Sequence, residues 1–137
     1  MQRAETKARV RALQLLYAWD LTGRPSLRTV IARVAGMYGC APLEPDRGAE
    51  LAALGIAGLA GFDHLVAGAA EHWRLERVGI VERNILRLAL AEIAEGATPS
   101  RVVIDEAVKL AHWFAGAKAP GFVNGVLDTA ARELGAL

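Results

Sequence analysis

The sequence predicts an all-α fold of about seven helices, and three observations carry that prediction. Apolar residues recur at spacings of three and four along most of the 137-residue chain, whereas few segments alternate with the period of two that strands show. Alanine, the strongest helix former, supplies 27 residues, while strand-favouring aromatics make up only 6%. The periodic segments have ordinary helical lengths and short connections, which favours antiparallel packing over a coiled coil. With 53% hydrophobic and 23% charged residues, the chain is composed to fold, and its length suits one domain.

The first helix is expected over 4–21, with Val10, Leu13, Tyr17 and Leu21 as its apolar stripe, and Gly23, Arg24 and Pro25 end it. Ser26 is placed to cap a second helix whose inner stripe is Leu27, Val30, Ile31, Val34 and Met37. The stretch 39–46 holds two prolines and a glycine and reads as a loop. A third helix over 47–61 presents Leu51, Leu54 and Leu59. Its glycines at 55, 58 and 61 resemble a phosphate loop only superficially, since no Gly-Lys-Ser/Thr follows, and close helix packing is the better reading. A fourth helix over 63–74 carries Leu65, Val66, Ala69 and Trp73. A fifth over 80–95 carries Val81, Ile85, Leu88, Ala89 and Ile93, and Gly96, Thr98 and Pro99 stop it. Ser100 is expected to cap the sixth helix, with Val103, Ala107, Leu110 and Phe114 inward. Pro120 suits the first turn of a seventh, whose inner residues are Phe122 or Val123, then Val126, Leu127, Ala130 and Leu134.

Little in the chain points to catalysis. The single Cys40 excludes an internal disulfide framework and a zinc site built on several thiolates, and fits a reducing cytoplasm. His64, His72 and His112 lack metal-pair spacing, and both serines, Ser26 and Ser100, sit where helix caps belong. Asp105 and Glu106 are adjacent and point in different directions on a helix. No cofactor or metal site is expected. The N-terminus carries charges where an export signal needs an apolar run. The longest apolar stretch, 51–62, is too short for a bilayer, which needs about 20 such residues.

Charge is distributed unevenly. The formal net charge is +1, yet residues 1–11 carry +3 and the remainder −2. Arg3, Lys7 and Arg11 recur at four-residue intervals and Gln14 follows, so a helix gathers them into one basic stripe, with Arg9 well away from it. Such a stripe suits phosphate contacts, and a solvated amphipathic face is the plain alternative. Phe122, just after Pro120-Gly121 at a helix start, is placed either to stack a base beside unpaired backbone N–H groups or to anchor the core.

Four blocks, in order and at compatible spacing, resemble the NusB family of transcription antitermination factors. They are Arg9-x-x-Ala12-x-Gln14-x-Leu16-Tyr17, Val81-Glu82-Arg83-x-Ile85-Leu86-Arg87-Leu88-Ala89-x-x-Glu92, Pro99-x-x-Val102-x-Ile104-x-Glu106-Ala107-Val108-x-Leu110-Ala111, and Phe122-Val123-Asn124-Gly125-Val126-Leu127-Asp128. The last is the most specific, and the resemblance covers nearly the whole chain. It implies two small helical bundles packed as one domain, here about 1–61 and 62–137. It also implies a non-enzymatic factor that pairs with ribosomal protein NusE, binds boxA RNA in ribosomal RNA leaders, and acts with the RNA polymerase elongation complex and other Nus factors. Some members form homodimers that mask the RNA surface. Carried over by position, Arg3, Lys7, Arg9, Arg11, Tyr17 and Phe122 would meet RNA, and Glu76 and Glu82 would meet NusE, a basic partner. Glu5, Thr6 and Gly121 stand where the family is often more basic, so RNA binding is expected to lean on NusE. The rivals are an accessory domain of a ribosomal RNA methyltransferase, a protein–protein adaptor and a helix-turn-helix DNA binder. No methyl-donor domain follows Leu137, and only the first helix is basic, so a stand-alone antitermination factor is the expectation.

Overall fold

Regular structure consists of seven helices among the described residues, which in this computed structural model are 3–37, 46–70 and 78–137. They are α1 (Arg3–Leu21), α2 (Leu27–Met37), α3 (Arg47–Ala57), α4 (Leu59–Ala69), α5 (Ile80–Glu95), α6 (Ser100–Phe114) and α7 (Ala119–Glu133). The fold is all-α, as the periodicity predicts. Cys40, His72, Trp73, Arg74 and Glu76 lie outside the described residues, and so does the side chain of Arg3.

The helix ends follow local chemistry. Ser26 Oγ accepts the Thr29 N–H at 3.2 Å and so caps α2. Asp46 caps α3 in the same way, accepting the Ala49 N–H at 2.8 Å. Gly96 closes α5 in the left-handed region, at φ 78°. Two expectations are corrected here. Pro99, not Ser100, occupies the cap position of α6, so Ser100 is already inside the helix. The break between α3 and α4 falls at Gly58, not beyond Gly61, and the two axes turn there by 73°. The ring of Phe62 lies over Gly58 where a Cβ would stand, which gives this glycine its purpose. Gly61, by contrast, faces open space. Close packing does involve Gly55, where an added Cβ would meet Leu16 at 3.6 Å.

Helix α5 is the centre of the molecule. Every residue from Asn84 to Ile93 is buried, and α1, α3, α4, α6 and α7 all pack on it. One hydrophobic cluster draws on all seven helices. Among its fully enclosed members are Leu16, Leu51, Ile85, Leu86, Ile104 and Leu127, each contributing about 1.5–3 kcal/mol by leaving water.

The core face of α1 differs from the expected one. Ala12, Leu15, Leu16 and Trp19 are buried, whereas of the stripe Val10, Leu13, Tyr17 and Leu21 only Leu13 is. Tyr17 is 37% exposed and Leu21 59%. The second half of the helix offers apolar residues on more than one face, and spacing alone does not say which stripe faces inward. Met37, Leu54, Phe114 and Leu134, also expected inside, are exposed as well.

Charged groups tie α1 to α5 at two levels. Arg9 is only 3% exposed, and its Nε and Nη2 donate to the two carboxylate oxygens of Glu92 at 2.7 and 2.9 Å. Glu106 lies 4.0 Å from the same guanidinium. Those hydrogen bonds raise the Arg9 pKa against the opposing effect of burial. At the other end Asp20 accepts from Arg83 (2.8 Å), Arg87 (2.8 Å), Asn84 (3.1 Å) and Arg24 (3.2 Å). Arg87 also grips Asp63 of α4 with two bonds of 2.8 and 2.9 Å. Burial pushes the Asp20 carboxyl up, but these donors outweigh it and hold the group well below the usual carboxylate range.

Two outcomes are expected. Glu92→Leu leaves Arg9 buried without its partner and should cost about 3–5 kcal/mol in urea unfolding, most of which Arg9→Met in the same chain should restore. Asp20 has a lowered native pKa, so its contribution is complete above the unfolded-state value of about 4 and is lost as pH falls below that. Acid unfolding followed by circular dichroism should therefore be flatter below pH 4 in Asp20→Asn than in the parent.

Candidate RNA and partner surfaces

With its core stripe turned onto α5, α1 presents a different line of residues to solvent. Lys7, Gln14, Tyr17 and Leu21 are all exposed, and Val10 is half-buried among them. The line is cationic and polar toward the N-terminus and aromatic and aliphatic toward the C-terminus. Lys7 has no ionic partner among the described residues. Arg11, beside the line, is partly committed. Its Nε stands 2.7 Å from an Asp46 carboxylate oxygen as an ion pair, although that N–H is not directed along a hydrogen bond. Its stem packs on Gly48, where an added Cβ would lie 2.9 Å from Arg11 Cβ. Arg9 faces the opposite way, and the Glu92 pair occupies the guanidinium that the family pattern assigns to RNA.

The apolar end of the α1 line forms one wall of a groove. Val10, Leu13, Gln14 and Tyr17 from α1, Val81 from α5 and Phe114 from α6 enclose about 240 Å³, and the surface they offer is mainly apolar. Trp113 stacks edge-to-face on Phe114, with ring centres 6.3 Å apart and planes at 86°. Phe114 is 47% exposed, so an aromatic rim stands open to solvent. Glu82 follows Val81 at the start of α5. Its carboxylate accepts the Gly79 N–H at 3.1 Å and so caps its own helix, while the side chain stays partly exposed.

Phe122 lies elsewhere. It is half-buried against the core at the start of α7, and borders an open concavity of about 450 Å³ with Ala69, Ala117, Lys118, Gly121, Gly125 and Val126. An added Cβ at Gly121 or Gly125 would meet nothing within 4 Å, so the floor beside the ring is open. Lys118 supplies a cation at the N-terminus of α7, where helix N–H groups already favour an anion. None of these lining residues comes from α1, so a ligand touching both Lys7 and Phe122 must extend over separate elements.

Reading the sequence missed Phe114, Val81 and Lys118 as surface features. No local sequence signal marked the first two, since Val81 and Phe114 recur at helical spacing like core residues. His64 and His112 are exposed on different helices. Among the described residues no single helix is long and apolar enough to cross a membrane.

Comparison with known proteins identifies the fold and the family. A profile of the NusB family matches residues 6–132. The transcription antitermination protein NusB of Solibacter usitatus is 42% identical over 129 residues, covering 93% of this chain and 88% of the relative. That of Sorangium cellulosum is 37% identical over 136 residues, covering 96% and 94%. Among solved structures, antitermination factors NusB and NusE in complex with double-stranded RNA give a TM-score of 0.78 at 28% identity, covering 97% of this chain and 99% of that one. The NusB of T. maritima gives 0.77 at 26% identity, covering 93% and 90%. A profile match spanning all seven helices, together with relatives aligned over nearly their whole length, means that this chain belongs to the NusB family.

Proposed function

We propose that this protein is a transcription antitermination factor that acts by binding and not by catalysis. It pairs with NusE, and the pair engages boxA RNA in ribosomal RNA leaders so that the RNA polymerase elongation complex, with other Nus factors, reads past terminators and ribosomal RNA maturation is assisted. Its place of action is the cytoplasm.

One observation carries the reading. The exposed line of α1 is divided between a cationic end, suited to phosphate, and an aromatic groove, suited to a protein partner. A solved relative holds both NusE and double-stranded RNA, which supports a two-ligand surface on this fold. On the RNA side stand Arg3, Lys7, Arg11 and, on a separate element, Phe122 with Lys118. Arg9 leaves this set, because meeting phosphate would strand Glu92 in the core. On the NusE side stand Glu76 and Glu82, with Tyr17 moved to join them. The Tyr17 ring borders Val81, the neighbour of Glu82, in a groove with little polar surface. Carboxylates opposite a basic partner contribute register and association rate more than affinity.

Gel-shift titration of boxA RNA across a salt series, with and without NusE, tests the reading; no salt-dependent shift in either condition would leave a protein–protein adaptor. Lys7→Ala should flatten the salt slope by about 0.7 for a single-stranded contact. Arg9→Met should leave that slope unchanged while lowering thermal stability. Phe122→Ala should weaken RNA binding by about 1–3 kcal/mol if the ring stacks a base. Glu82→Gln keeps an oxygen for the Gly79 N–H and removes the charge, so it should slow NusE association with helical content intact. An unchanged association rate would take Glu82 out of the interface.

A further inference from the structure

The groove beside Tyr17 has walls from different helices, so its width depends on how firmly α1 is held against the first turn of α5. Below that turn the hold is redundant. The Arg9–Glu92 pair fixes the far end, and Leu15 and Leu16 of α1 share one apolar cluster with Ile85 and Leu88 of α5. At the first turn itself the hold is polar and centres on Asp20, to which Asn84 and Arg87 of the buried stretch donate at 3.1 and 2.8 Å. Arg83 lies two residues beyond Val81, and its Nε donates to Asp20 at 2.8 Å. Asp20 lies one turn beyond Tyr17 on α1. The ion pair therefore bridges the helix that bears Tyr17 to the turn that bears Val81 and Glu82.

We propose that Asp20 and Arg83 are positioning residues for partner capture, holding the Tyr17 and Val81 walls at a fixed separation so that the groove exists before NusE arrives. This rests on the reading of the groove as the NusE surface. The two residues contribute unequally to the fold. Asp20 is almost wholly enclosed at its side chain and receives three other donors, so removing it disturbs a buried network. The Arg83 side chain is one-third exposed, and its loss leaves Asp20 with three donors, so it disturbs the fold less than loss of Asp20 does. Arg83 thus separates placement of the wall from stability. A groove left to find its width during binding loses affinity to the ordering it must undergo then.

The test is titration of labelled NusE into the parent protein and into Arg83→Gln, Arg83→Lys, Asp20→Asn, Tyr17→Ala and the double variant Arg83→Gln/Tyr17→Ala. Melting temperature and the boxA salt slope are measured alongside. Arg83→Gln is expected to weaken NusE binding by about tenfold, with melting temperature and salt slope near the parent values. Removing a cation would by Coulomb attraction strengthen capture of a basic partner, so a loss identifies placement and not charge. Arg83→Lys should recover part of the loss, Asp20→Asn should reproduce it at temperatures where that variant stays folded, and the double variant should be less than additive. If Tyr17→Ala weakens NusE binding while Arg83→Gln does not, or if the two losses simply add, the positioning role is overturned and the groove stands. If Tyr17→Ala leaves NusE binding unchanged, the groove reading itself fails and takes this inference with it.

Discussion

Helix α5 is enclosed on nearly every side, yet Asn84, Arg87 and Glu92 lie within its buried stretch. Polar and charged groups so placed must be matched by partners, because an unpaired one costs several kcal/mol. The partners come chiefly from α1. Arg9 answers Glu92, and Asp20 answers Asn84 and Arg87, with Asp63 of α4 completing the second site. Arg9 and Asp20 are eleven residues apart, about three helical turns, so they share one side of α1 some 16 Å from each other. Pairing at both points fixes the rotation of α1 as well as its position. Ala12, Leu16 and Trp19, which lie between them on that side, are then buried, Leu16 beside Gly55 of α3, and the line from Lys7 to Leu21 is left to solvent.

This constraint explains which parts of the fold were legible from the sequence. Helix existence was, because periodicity and end signals such as Ser26, Gly96 and Pro120 are local. The rotation of α1 was not. The helix has two apolar stripes, and the distant pairings of Arg9 with Glu92 and of Asp20 with Asn84 and Arg87 decide between them. The break at Gly58 was similarly hidden, since its cause is the ring of Phe62 lying over that glycine, while Gly61 offered an equally plausible stop. The start of α6 misled for a smaller reason: Ser100 has the composition of a cap but sits one residue inside.

The candidate site was legible in outline, while the burial and pairing of its side chains were not. The segregation of charge pointed to a phosphate-facing N-terminus, and Lys7 is exposed where that reading needs it. Arg9 counted toward the same total yet is neutralised in the core, and Arg11 is partly so by Asp46. Formal charge therefore overstates the positive potential that α1 offers to solvent. Tyr17 and Phe114 read as inward residues by spacing, although the resemblance set Tyr17 toward RNA, and the fold leaves both partly exposed beside one groove. Glu82 serves its own helix before any partner, a double use that spacing does not reveal.

The burial of Arg9 also bears on how lesions in this protein would present in a living cell. A cation taken from exposed Lys7 leaves a well-folded factor and, on the proposed function, a binding defect that persists at every growth temperature. A cation taken from position 9 strands Glu92 and depletes the folded population. Its phenotype would be conditional, severe in warm cultures and relieved by cooling, by raised expression, or by a compensating change at Glu92. Two cation-to-neutral alleles two codons apart, at Lys7 and Arg9, would thus fall into different genetic classes although both sit in the same basic segment.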